Sequence, residues 1–119
     1  MQRFTDKGLT ERRIYTVAFN NVMEDGATIT SAEVTATVYD QSEVTDSSPE
    51  DIVDGPADTN GQAVTIDGET IPVDQAVTQA IEAGVDGCDY VLKFTANCSN
   101  GEVFTEEVLL RIKKYVPTT

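Results

Sequence analysis

An all-β fold is predicted by three features of the sequence. Apolar and polar residues alternate through residues 90–98 and again through 32–38, the period of a half-buried strand. Turn signals separate the apolar runs: Asn20-Asn21, Asp25-Gly26, Asp67-Gly68 and Asn100-Gly101. The runs come about 8–12 residues apart except across one acidic connection, and about seven such strands suit a sandwich of immunoglobulin type. The chain therefore reads as all-β, a single immunoglobulin-like β-sandwich of about seven strands with one long acidic loop. Residues 1–13 read as a basic N-terminal arm and 14–116 as the domain. Tryptophan is absent, which excludes the Cys–Trp–Cys core of an antibody-like domain. A helix-containing α+β domain is the second reading.

The arm carries Arg3, Lys7, Arg12 and Arg13 and few apolar residues. Such a segment does not offset its own ordering entropy. It is expected to order only on a partner, and its removal to leave the melting temperature nearly unchanged. Residues 14–19 (IYTVAF) are β-prone on both faces and form the first strand. In residues 28–39, Ala32, Val34, Ala36 and Val38 face in, while Glu33, Thr35, Thr37 and Tyr39 face out. Residues 40–61 hold seven acidic residues, Pro49 and Pro56, and no lysine or arginine. They read as a long solvated connection with one short edge strand at 51–53. Residues 62–66 form a short strand, Asp67-Gly68 a hairpin turn, and 71–73 its continuation, with Pro72 pointing to an edge. Residues 74–84 (DQAVTQAIEAG) are ambiguous. Val77, Ala80 and Ile81 suit a short helix between an Asp74 N-cap and Gly84; Val77, Gln79 and Ile81 suit a strand with one polar error. Local propensity slightly favours the helix.

Residues 84–112 form a long hairpin. Tyr90, Leu92, Phe94, Ala96 and Cys98 share a face, and Phe104, Val108, Leu110 and Ile112 answer them, interrupted by Glu106. A two-residue Asn-Gly loop pairs even positions with odd ones. A three-residue loop with Gly101 in the left-handed region pairs even with even, Leu92 with Val108 and Tyr90 with Leu110. Register follows the buried face, so the three-residue loop is preferred. On such a strand Cys88 and Cys98 stand about 33 Å apart at roughly 3.3 Å per residue. They are expected to be free thiols, suiting a reducing compartment.

The chemistry-bearing residues are sparse. There is no histidine, which removes the commonest general base and metal ligand. The two cysteines have no histidine to activate them. The carboxylates are scattered through turns rather than paired in a cleft, and Asp86-Gly87-Cys88-Asp89 lacks the spaced ligands of a calcium loop. No catalytic residue, cofactor or metal is expected. Eight basic against 21 acidic residues leave a net charge of −13, which argues against nucleic acid. No run of about 18 apolar residues suggests a membrane span, and the first residues lack the apolar stretch of a secretory signal. The charges are nevertheless segregated. Arg3, Lys7, Arg12 and Arg13 lie near one end, Arg111, Lys113 and Lys114 near the other, and only Lys93 between. First and last strands of a sandwich are often neighbours, so these seven residues are the candidate docking site for an acidic partner. Charged side chains solvating frayed ends are the plainer alternative.

Residues 77–104 (VTQAIEAGVDGCDYVLKFTANCSNGEVF) resemble small immunoglobulin-like virion proteins of tailed bacteriophages and prophages, the fibre–tail adaptor or tail structural proteins. The likeness rests on the spacing Gly84, Gly87, Tyr90, an alternating strand, and the Ser99-Asn100-Gly101 turn. The first half is similar too, through FTDKGLTERRIYTVAF, EDGATITSAEVTAT and SSPEDIVDG, so that residues 4–113 are covered. The family's glycine pair is Ala83-Gly84 here, residues 67–73 look inserted, and the cysteines stand outside the pattern. The resemblance implies that residues 75–82 are a strand. It implies a non-enzymatic structural adaptor, assembled in the host cytoplasm into the virion, where it contacts other phage proteins of the neck, tail, fibre or capsid. No nucleic acid or membrane partner is expected; the protein is a monomer in isolation and present in multiple copies in the assembly. A carbohydrate- or receptor-binding module is the alternative. It is disfavoured because Tyr15, Tyr39, Tyr90 and Tyr115 are spread along strands instead of forming an aromatic platform.

Overall fold

The computed structural model describes residues 2–114. They form β1 (Gln2–Arg3), β2 (Lys7–Gly8), β3 (Arg13–Ala18), β4 (Ile29–Val38), β5 (Val53–Thr59), β6 (Val64–Ile66), β7 (Glu69–Ile71), β8 (Ala76–Ile81), β9 (Asp89–Cys98) and β10 (Val103–Lys113). The fold is all-β, in several sheets, with no α-helix among the described residues. Tyr115 and the expected boundary at 116 lie outside them.

The long hairpin of β9 and β10 has the register that burial demands. Leu92 lies opposite Val108 and Tyr90 opposite Leu110. Gly101, at φ 89°, turns the chain, and its N–H donates to Cys98 O at 3.0 Å. The turn costs little because glycine has no Cβ to clash in the left-handed region. β4 pairs with the other side of β9 after a bulge near Ile29, and β1 and β2 run parallel to β10, giving the order β1-β10-β9-β4. Val91 points away from the core but is still only 8% exposed, being flanked by Thr37 and Leu109.

A second sheet has the order β3-β8-β5. Tyr15, Val17, Val77 and Ile81 from it join Val34, Ala36, Leu92, Phe94, Val108 and Leu110 from the first in one hydrophobic core. Residues 76–81 are thus a strand, as the family resemblance implied and against local helix propensity. The polar error in its pattern is accommodated. Gln79 is buried, and its amide donates to the carbonyls of Asp54, Gly55 and Ala80, where the β5 register shifts between Asp54 and Asp58. A small third sheet is the β6–β7 hairpin, turned at Asp67 and Gly68, both with positive φ.

Two expectations are corrected. Residues 40–61 are not one acidic loop: Pro49–Ile52 form a 3-10 turn and 53–59 form β5. Ile52 is 1% exposed in the core, and the far side of β8 needs the hydrogen bonds that β5 supplies. Nor are residues 1–13 a free arm. Phe4 N–H donates to Leu109 O and Leu9 N–H to Lys113 O. The Phe4 ring stacks on Tyr15 at 4.5 Å and meets Phe94 edge-on at 6.0 Å. The segment wedges an aromatic ring between the two sheets and covers the otherwise open edge of β10. The number of strands rises above the expected seven chiefly because of β1, β2 and the separate β7. Cys88 and Cys98 are buried and free, as expected.

Candidate functional site

The seven candidate basic residues are brought together in part, because β1 and β2 lie alongside β10. Asp6, in the connection between β1 and β2, is the hub. Its carboxylate receives Arg3 Nη2 at 3.4 Å and Lys113 Nζ at 3.0 Å, and its carbonyl accepts from Arg13 Nη1 at 3.4 Å. Burial raises the Asp6 pKa, but the hydrogen bonds and charges of Lys113 and Arg3 outweigh it and hold the carboxyl below its ordinary value.

Lys7 belongs to the interior. It is fully buried, and Nζ donates to Gly8 O at 2.7 Å and Ala83 O at 2.9 Å. Desolvation lowers its pKa, opposed by the charges of Glu11 and Glu82 and assisted by Arg13. It does not present a charge to a partner and leaves the candidate site.

Arg3, Arg12, Arg111 and Lys113 reach solvent with their charges already paired, and Arg13 is half-buried. Arg111 grips Asp89 with two hydrogen bonds, Nε to Oδ1 at 2.7 Å and Nη2 to Oδ2 at 2.9 Å. That fork is the main cause holding the Asp89 carboxyl below its usual range. Arg12 Nε donates across the sheet to Asp54 Oδ2 on β5 at 2.6 Å, which raises the guanidinium further. Lys114 is exposed, and its backbone amide donates to Asp86 Oδ1 at 2.7 Å. Among the described residues no carboxylate lies within salt-bridge distance of Lys93 or Lys114.

The surface is therefore a strip of compensated charge along β1, β2 and β10 rather than a bare basic patch. A shallow cleft of about 450 Å³ lies against it, with Glu43 and Asp89 facing Arg111 and Lys113. The sequence reading missed the acidic half of the strip. Asp6, Asp54 and Asp89 are unremarkable among 21 acidic residues, and only the tertiary pairing singles them out.

A family model described as "Podophage GP4 fiber-tail adaptor protein gp77" matches residues 7–111. No curated protein and no solved structure matches the chain.

Proposed function

The chain belongs to the podophage GP4 fiber-tail adaptor protein gp77 family, and from that premise we propose that it is a non-enzymatic adaptor docking on neighbouring virion proteins. The observation that carries the reading is the extent of the match, residues 7–111 of 119. An adaptor holds partners by shape and charge, and the strip along β1 and β10 suits that work. Arg3, Arg111 and Lys113 have side chains 41–48% exposed. Each already lies beside a carboxylate that a partner's acidic residue would replace or extend. Paired charges at an interface rim set orientation and association rate more than affinity. The chain, at net charge −13, repels its own copies and favours a monomer in free solution.

We also read the two larger sheets as an immunoglobulin-like sandwich. The orders β1-β10-β9-β4 and β3-β8-β5 support it, since they correspond to the two sheets of such domains with a first strand laid parallel on the last. Tyr90, near the start of β9, supports it independently. Its hydroxyl accepts from Val85 N–H at 3.0 Å and donates to Asp46 Oδ2 at 2.7 Å, the arrangement of a tyrosine corner.

The test is a phage carrying Arg3→Gln, Lys113→Gln and Lys114→Gln together. Virion-associated protein should fall by roughly tenfold or more, while the melting temperature of the isolated variant changes little. Normal incorporation would remove the strip from the interface.

A further inference from the structure

We propose that the open edge of β3 receives an extended, basic segment of a neighbouring virion protein as an added strand. The proposal gives the partner chemistry of the adaptor reading and rests on it. β3 ends its sheet, with β8 on one side only. Phe19 N–H donates to Gln75 O at 2.8 Å in line with that pair, and antiparallel bonds recur at every second residue. The odd residues of β3 therefore bond to β8, and the N–H and C=O groups of Ile14, Thr16 and Ala18 point the other way. β8 keeps the same alternation, its even residue Ala76 accepting from Asn60 N–H on the β5 side. Among the described residues no backbone group bonds to Thr16 or Ala18 from the open side. A row of unpaired groups of this kind is a template for an incoming strand.

The row faces room. A cleft of about 550 Å³ is lined by Thr16, Val17 and Ala18, by Phe4, and by the β6–β7 hairpin. The segment that precedes β3 pairs with β10 instead, so that β1 and β2 do not cover this edge. The charged residues of the lining are Asp67, Glu69 and Glu106, with no lysine or arginine. Glu106 is the residue that interrupts the apolar face of β10, and this cleft is where it sits. Asn20 Nδ2 donates to Glu69 at 3.1 Å and ties the hairpin to the end of β3. Ile14 is 64% exposed at the start of β3 and Val22 57% just past its end, apolar steps on either side of the edge. An acidic lining on a chain of net charge −13 disfavours a second copy of this chain and favours a basic strand.

The probe is a synthetic peptide of alternating valine and lysine, about six residues long as an average strand is, with its valine–glutamate counterpart as control. Amide exchange is followed by NMR in the isolated protein. The basic peptide should slow exchange at Thr16 and Ala18, and the acidic one should not. Thr16→Pro removes an amide that β8 does not use, so it should keep the melting temperature and abolish binding. Glu69→Gln with Glu106→Gln should weaken binding by roughly tenfold, and it decides the matter if the proline variant fails to fold. No protection at Thr16 and Ala18, equal binding of both peptides, or unchanged binding by the variants overturns the proposal. So does a wild-type dimer that protects the same two amides, which would assign the edge to a second copy. Particle incorporation is measured separately, so loss of the edge site and loss of the adaptor role give different results.

Discussion

Arg3 and Lys7 belong to the same short basic stretch, yet their surroundings make them opposites. Arg3 is about half exposed and bridges to Asp6 at 3.4 Å, an arrangement worth little because solvent screens it. Lys7 is sealed, its ammonium held by two carbonyls. Truncating it leaves the Ala83 carbonyl without that donor in the interior, whereas Gly8 O keeps the Glu11 N–H at 3.1 Å. Lys7→Ala should therefore lose about 1–3 kcal/mol, and Arg3→Ala less than about 0.5 kcal/mol. Urea unfolding of the two variants checks this, and equal losses would mean that Lys7 reaches water. A second single-residue constraint lies nearby at Gly84. Its φ is 111°, and a Cβ there would come within 2.7 Å of Ile112 Cγ1. Glycine stands at this point because β10 approaches the backbone too closely for any side chain.

At the scale of elements, β1 and β2 change the meaning of the first residues. Their pairing with β10 and the partly buried Phe4 ring packed against the core between Tyr15 and Phe94 make them part of the folded domain. Deleting residues 1–9 removes that aromatic wedge and the buried Lys7 with it; a fully buried phenylalanine is worth about 3–5 kcal/mol, and the partly buried Phe4 less. The deletion should lower the melting temperature by roughly 10 °C or more. Thermal unfolding followed by circular dichroism measures it, and an unchanged melting temperature would restore the free arm. The same elements explain why docking is not tested by deletion: a lost particle signal would report unfolding as readily as a lost contact.

For the whole molecule, charge dominates, and its pH dependence has a definite sign. Asp6 and Asp89 both have folded pKa values below ordinary ones. A carboxyl depressed on folding contributes stability above its unfolded pKa, near about 3.9. That stability is lost as pH falls through the folded value. The melting temperature should therefore drop on acidification below about pH 4. Arg111→Met should make the drop shallower, because Asp89 then loses the main cause of its shift. Thermal melts of both proteins across the acid range decide this; identical acid slopes would show that the Arg111–Asp89 pair contributes nothing measurable. The effect is modest, since Arg111 is 41% exposed and solvent screens the pair.

Much of the fold was legible because it is written locally. Alternation in residues 32–38 and 90–98, and a glycine where the hairpin must turn, are read within one strand or one turn. The register of Leu92 with Val108 followed from them. The strand at 76–81 was not legible from its own residues, since its pattern suits a helix equally. β3 on one side and β5 on the other make it a strand by supplying the hydrogen bonds. The candidate site divides in the same way. Clustering of the two basic groups could be anticipated from charge placement and strand order. The burial of Lys7 could not, because Ala83, whose carbonyl it reaches, lies 76 residues away. The carboxylates that neutralise Arg12 and Arg111 are likewise distant, at Asp54 and Asp89. Local periodicity determined which residues form strands and which face of each is apolar. Only the closing of the chain on itself decided which charges are spent within the molecule, because ion pairing and burial depend on distances in space that sequence separation does not set.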